Sequence, residues 1–363
     1  MNIDIIAGAR PNFIKIAPII DAINDKIKDG FRISFRLIHT GQHYDKNMSY
    51  QFFEELGIPW PHVNFQVGSG SQASQTGAIM LNYEKLLEKE KADLCLVVGD
   101  VNSTMACAIV AKKCHIKVAH VEAGIRSGDI RMPEEVNRIV TDSLTDFYFT
   151  TSKMASDNLL KEGVNSSNIY FVGNVMIDTL KKFYKSFKSP EVWRTLNLKP
   201  KSYILLTMHR PSNVDGLKSL KAILDNVCEN SKGLPVVFPV HPRTLKTLNQ
   251  LDVNYDNLHI INPLGYLEFN YLTKNSKIVI TDSGGITEET TVMGVPCITF
   301  RHSTERPETL SIGTNELIGT SPANIKVYLE KLFNKGWKKG AIPEKWDGKA
   351  AKRIVDILID EKI

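Results

Sequence analysis

Apolar residues recur along this chain in two alternating rhythms. The run Ile-Asp-Ile-Ile-Ala at 3–7 is short and bounded by Gly8, and Phe13, Ile16, Ala17, Ile20 and Ile23 then follow at helical spacing. The same strand-then-helix pattern repeats. Arg32 to Thr40 and Ala92 to Gly99 read as strands, the latter feeding an Ala-rich helix. Ile116 to Val121 reads as a buried strand before a helix opened by Pro133, a residue suited to a first helical position. Strands near 146–150 and 169–173, separated by an amphipathic helix, complete this half. Alternation of this kind predicts a doubly wound parallel α/β sheet.

Gly173-Asn174-Val175-Met176 reads as a turn, and the Lys-rich stretch from Lys181 to Lys201, with Pro190 and Pro200, as solvated surface. The pattern then restarts, with strands expected at Tyr203 to Thr207, Val236 to Val240, Lys277 to Thr281 and Val295 to Phe300. The amphipathic segment 347–363 is expected to rejoin the first half. Two Rossmann-like doubly wound domains are therefore predicted, 1–172 with 347–363 and 173–346, facing across a cleft if their polar strand ends oppose each other.

Composition narrows the class. A chain of 363 residues suits two domains, and 42% apolar with 23% charged residues is ordinary for a folded protein. A net charge of +5 is too mild for a nucleic-acid binder but fits an anionic small ligand. The five cysteines are scattered without Cys-x-x-Cys spacing, so neither a zinc site nor a disulfide framework is indicated. No basic segment leads an apolar N-terminus and no apolar run is long enough to span a bilayer, so a cytoplasmic location is expected.

The candidate chemistry gathers at strand ends. Arg10 and Lys15 sit where the first strand hands over to a helix, a place where N–H groups and cations meet anions. Gly99-Asp100 closes another strand; either Asp100 or Ser103 could cap the helix that follows. Glu122 ends the Ile116 to Val121 run, and Glu134 and Glu135 lie in the first turn after Pro133. The polar loop 68–76 carries Gly68-x-Gly70 without the strand and third glycine of a dinucleotide fingerprint, and reads as a lid. In the second half, His209-Arg210 and His241-Pro-Arg243 stand at successive strand ends, a pairing suited to a diphosphate. Asp282-Ser283-Gly284-Gly285 then leads into a helix, where backbone N–H groups can receive phosphate. Acids on one half and phosphate-type groups on the other point to chemistry on a sugar attached to a diphosphate. No Ser/His/Asp order, P-loop or metal cluster is evident.

These segments resemble the non-hydrolysing UDP-N-acetylglucosamine 2-epimerases. The resemblance is carried by Gly8-Ala9-Arg10-Pro11 with Lys15, by Gly99-Asp100, and by His120-Val-Glu122-Ala-Gly-Ile-Arg126. Met132-Pro-Glu134-Glu-Val-Asn-Arg138, His209-Arg210 and Asp282-Ser-Gly-Gly-Ile-x-Glu288-Glu289 follow in the same order, over nearly the whole chain. It implies a GT-B-like fold and a UDP-binding second domain. It also implies interconversion of UDP-GlcNAc and UDP-ManNAc for surface polysaccharide precursors, without cofactor or metal, by a homodimer. The family mechanism eliminates UDP to a 2-acetamidoglucal and adds it back. Carried over by motif, Asp100, Glu122, Glu134 and His209 are the expected catalytic groups. Arg10, Lys15, Arg138, Ser283, Gly284, Gly285, Glu289 and Arg306 are the expected substrate and UDP contacts.

Departures from the family pattern bear on substrate. Ala9 and Asn12 replace its commonest Thr and Glu, and Pro211 replaces a second Arg, as in relatives acting on UDP-2,3-diacetamido uronic acids. Thr304-Glu-Arg-Pro-Glu308 instead matches the GlcNAc enzymes, so UDP-GlcNAc is the expected substrate, with the uronate and then a glycosyltransferase reaction as alternatives. A second, regulatory UDP-GlcNAc site of the family would use Gln42, His43, Arg210 and His241. Asp45 in that loop, and the absence of Lys or Arg from 68–76, disfavour an anionic activator.

Overall fold

The computed structural model of the chain describes residues 1–41, 53–240, 242–251 and 255–361; the side chains of Arg10, Pro242 and Arg243 fall outside the description. The chain divides into two compact units, Met1–Lys182 with Glu344–Ile363, and Phe183–Pro343.

The first unit is a parallel sheet. Its strands are β1 (Asn2–Ala7), β2 (Ser34–His39), β3 (Val63–Asn64), β4 (Leu94–Val98), β5 (Lys117–Val121), β6 (Phe147–Thr150) and β7 (Ile169–Phe171). They lie in the order β3-β2-β1-β4-β5-β6-β7, every pairing parallel. The strand sequences explain this. Leu94–Val98 is buried at every position, as expected of a strand covered on both faces. Helices α1 (Arg10–Lys28), α2 (Gln72–Lys89), α3 (Asn102–Lys113), α4 (Pro133–Leu144), α5 (Lys153–Lys161) and α6 (Val175–Phe183) make the connections.

Two local expectations are overturned. The loop expected over 68–76 gives way to α2 at Gln72, because Ser71 caps the helix by accepting from Ser74 N at 3.2 Å. The turn expected over 173–176 becomes the start of α6, with Asn174 Oδ1 accepting from Met176 N at 2.9 Å.

The second unit repeats the plan. Strands β8 (Ile204–Thr207), β9 (Val236–Pro239), β10 (Leu258–Ile261), β11 (Ile278–Thr281), β12 (Cys297–Thr299) and β13 (Asn315–Leu317) lie parallel in the order β10-β9-β8-β11-β12-β13. Its longer helices are α7 (Leu217–Glu229), α8 (Pro242–Leu248), α9 (Tyr266–Asn275), α10 (Gly284–Met293) and α11 (Ala323–Phe333). The final helix α12 (Ala350–Asp360) belongs to the first unit, where Lys26 of α1 pairs with Asp356 at 2.6 Å. Asp178 of α6 accepts from the N–H groups of Ala350 and Ala351 at 3.2 and 2.7 Å and so caps its start. Among the described residues, no helix is long and apolar enough to cross a membrane.

In each sheet the strand order reverses once, between β1 and β4 and between β8 and β11. Such a switch point opens a crevice at the carboxyl ends of the strands, where open α/β sheets bind ligands.

Candidate active site

In the first unit the acids converge on the β1/β4 switch point. Lys15, one turn into α1, donates from Nζ to Glu122 Oε2 at 2.5 Å, and both side chains are buried. Glu122 follows β5 with a φ of +74°, a left-handed conformation costing a non-glycine residue about 1–3 kcal/mol. The strain is held by the sheet, since Glu122 N donates to Phe149 O at 3.0 Å. Gly99 closes β4 with φ +70°, and a Cβ there would stand 3.1 Å from Lys15 Nζ and 3.6 Å from Glu122 Oε2. Its lack of a side chain leaves the space beside the ion pair clear. Gly124 is required for another reason: a Cβ would lie 2.2 Å from Ala155 O of α5.

Asp100 pairs with Arg138 of α4, whose second terminal nitrogen lies 3.3 Å from Glu135 Oε2. Glu135, not Glu134, is the buried acid of that first turn; it also accepts from Ser127 N and Gly128 N at 2.8 and 3.0 Å. Glu134 is exposed and makes none of these bonds. Neither proposed helix cap serves as one, because α3 starts after Val101 without a side-chain cap. Asp100 is drawn instead to Arg138, and Ser103 to the Thr40 hydroxyl at 2.7 Å.

Three further residues fix this geometry. Asn12 accepts from Gly8 N and Ala9 N at 3.1 and 2.9 Å and donates to Val98 O at 3.0 Å. A carboxylate there would have no hydrogen for Val98, so the amide ties the β1 loop to β4 in a way an ionised Glu could not. Fully buried His120 spans Asp142 Oδ1 at 2.7 Å and Gly99 O at 2.8 Å. The ring thereby ties α4 to the end of β4 and pins the strand end before Asp100. Burial opposes the charge of Asp142, but His120 and Arg126 beside it outweigh that penalty and hold its carboxyl below the usual range. His120 and Glu135 both stand in the segments that carry the family resemblance, but neither was assigned a role there; strand and helix register, which bury them, are the signals that single them out.

In the second unit the anchor is Asp282, fully buried at the end of β11. It accepts from the N–H groups of His209 and Arg210, from Asn213 Nδ2 at 3.0 Å and from His209 Nδ1 at 2.8 Å. Burial resists its charge, yet His209 and the backbone donors prevail and the carboxyl titrates below its ordinary value. The imidazole is thereby oriented with Nδ1 engaged, and with the side chain 48% exposed Nε2 is left for a ligand. Ser283 leads into α10 without a side-chain cap, and no acid occupies the first turn, so the N–H groups of Gly284 and Gly285 are available to an anion. Glu289, one turn on, is buried; desolvation pushes its carboxyl up to about 7, against hydrogen bonds from Tyr266 and Asn270. Arg306 pairs with buried Glu288. Arg210 Nε donates to Asp282 O at 3.1 Å. Gln42, His43 and His241, with the Arg10 side chain, lie outside the described residues.

A pair of parallel sheets, one carrying carboxylates held by cations at its switch point and the other a helix start prepared for phosphate, defines an α/β enzyme of nucleotide-linked substrates. The chain belongs to the UDP-N-acetylglucosamine 2-epimerase family, whose model matches residues 25–359, and with it to the isomerases. It is 42% identical to the UDP-N-acetylglucosamine 2-epimerase of Methanococcus maripaludis, covering 99% of each chain. The crystal structure of the Methanocaldococcus jannaschii UDP-GlcNAc 2-epimerase in complex with UDP-GlcNAc and UDP superposes with a TM-score of 0.87 at 41% identity, over 99% of this chain and 100% of that one. The two-sheet, GT-B-like architecture is common to both. The UDP-2,3-diacetamido-2,3-dideoxy-D-glucuronate 2-epimerase of Pseudomonas aeruginosa is 40% identical over 88% of this chain and 89% of its own length.

Proposed function

We propose that the protein interconverts UDP-N-acetylglucosamine and UDP-N-acetylmannosamine by anti-elimination and re-addition. A carboxylate takes the C2 proton as the C1–O bond breaks; the electron pair leaves with UDP, and the sugar becomes 2-acetamidoglucal. UDP then adds back to C1 while a second acid returns a proton to the other face of C2. The observation that carries this reading is the buried Lys15–Glu122 pair beside the Asp100–Arg138 pair at one switch point. Proton transfer at carbon needs positioned acid and base groups, and Asp100, Glu122 and Glu134 are the set on this unit. His209 and the Ser283-Gly284-Gly285 helix start supply the electrostatic support that departing UDP requires. Run in D₂O, the reaction should place deuterium at C2 of the product; protium retained there would sink the elimination mechanism.

Among the described residues, the charge balance of the acid set favours a neutral sugar. Lys15 is matched by Glu122, Arg138 by Asp100 and Glu135, and Arg126 by Asp142 and Glu162. A uronate would bring one more carboxylate to groups already balanced. The Pseudomonas relative keeps the uronate as the second reading. Comparing turnover of the two UDP-sugars decides between them. We further read the enzyme as a cytoplasmic homodimer supplying surface polysaccharide precursors. The five free cysteines suit a reduced compartment, and exposed Val136 and Ile139 on α4 suit a second copy.

A further inference from the structure

The buried guanidinium of Arg301 stands at the start of α10 with one nitrogen bonded and one open. Arg301 follows β12 and is only 5% exposed. Its Nη2 donates to Glu305 Oε1 at 3.0 Å, which fixes the plane of the group. Among the described residues its Nη1 has no hydrogen-bond partner. A Cβ built on Gly284, the first residue of α10, would lie 3.7 Å from that nitrogen and 3.8 Å from Glu305 Oε2. The open donor therefore projects over the same first turn whose N–H groups lack a side-chain cap.

An unsatisfied donor inside a protein is costly, and a charged one more so, unless something else completes it. A group that completes this donor must be small enough to enter above Gly284, must carry acceptor oxygens, and must favour both a helix N-terminus and a cation. A phosphate oxygen meets each requirement. We propose that Arg301 binds a diphosphate oxygen of the nucleotide at the start of α10, with Glu305 as the positioning residue that holds the guanidinium fork. The inference rests on the nucleotide-sugar reading above and adds a contact that the motifs did not single out.

The test is calorimetric titration of the full chain with UDP and, separately, with uridine. Uridine lacks the phosphates, so it reports whether the nucleoside pocket survives a substitution. Arg301→Gln should weaken UDP by about 10–100-fold, the usual worth of one charge-assisted hydrogen bond, and leave uridine affinity unchanged. Arg301→Lys, which keeps the charge but loses the fork, should lose roughly 3–30-fold for UDP and nothing for uridine. It carries the same contrast if the Gln variant does not fold. Equal losses for UDP and uridine, or no loss for either, would overturn the role of Arg301. If the unmodified protein does not bind UDP at all, the nucleotide reading itself fails, a result distinct from binding that ignores Arg301.

Discussion

Lys15 and Glu122 meet at 2.5 Å across a sequence separation of 107 residues, joining the helix after β1 to the end of β5. Both side chains of the pair are buried, and its two halves have separable consequences for stability and rate.

Lys15→Met leaves the Glu122 carboxylate buried without its ammonium, and should cost about 3–5 kcal/mol in urea unfolding. Adding Glu122→Gln removes the stranded charge, so the double variant should unfold later than Lys15→Met alone. Glu122→Gln by itself should fold and lose about 10²–10⁴ in kcat, as should Asp100→Asn. Near-normal turnover in either single acid variant would remove that residue from the proton transfer.

A ligand-side prediction concerns the second unit. His209→Ala and Ser283→Ala should each weaken UDP by roughly tenfold in calorimetry. Gly284→Ala is informative because the protein has room for the methyl group, its contacts falling at 3.7 and 3.8 Å. It should therefore fold normally and lose UDP affinity through the ligand alone. Unchanged affinity in all three would move the phosphate site away from α10. EDTA should leave the rate untouched; recovery on adding back a divalent ion would bring a metal into the reaction.

The raised carboxyl of Glu289 predicts a pH dependence with a definite sign. Its value in the folded chain is about 7, against 4.5 for an ordinary glutamate. The folded state thus binds the extra proton between those limits, and stability falls as pH rises from 4.5 through 7. The loss is on the order of 3 kcal/mol when Glu289 becomes fully charged. Urea titrations from pH 5 to 8 should show this slope in the parent and lack it in Glu289→Gln. Parallel curves for the two proteins would contradict the assignment.

Much of this site was legible because parallel strands buried on both faces are near-continuous apolar runs. The polar residue that ends each run, Asp100, Glu122 or Asp282, is therefore placed by the sequence itself. What lay beyond was set by helix register and side-chain geometry. Glu134 and Glu135 are indistinguishable in a motif, yet only Glu135 faces Arg138. Gln72 looked like loop because its neighbours are Gly and Ser, whereas Ser71 turns that polarity into a cap. Arg301 was one charge among several in a polar loop; only its burial and its open nitrogen distinguish it.

The return of α12 to the first unit gives synthesis of this protein an awkward order. The strands and helices up to Lys182 emerge first, but the helix that packs on α1, and that Asp178 caps, is made only after the whole second unit. Ile354, Val355 and Leu358 fill a surface that stays bare until that helix emerges. A chain stopped between Pro343 and Ala350 would thus carry an intact second sheet and an unsealed first one. Such a truncation should abolish the proposed proton transfer and leave the proposed nucleotide site in the second unit.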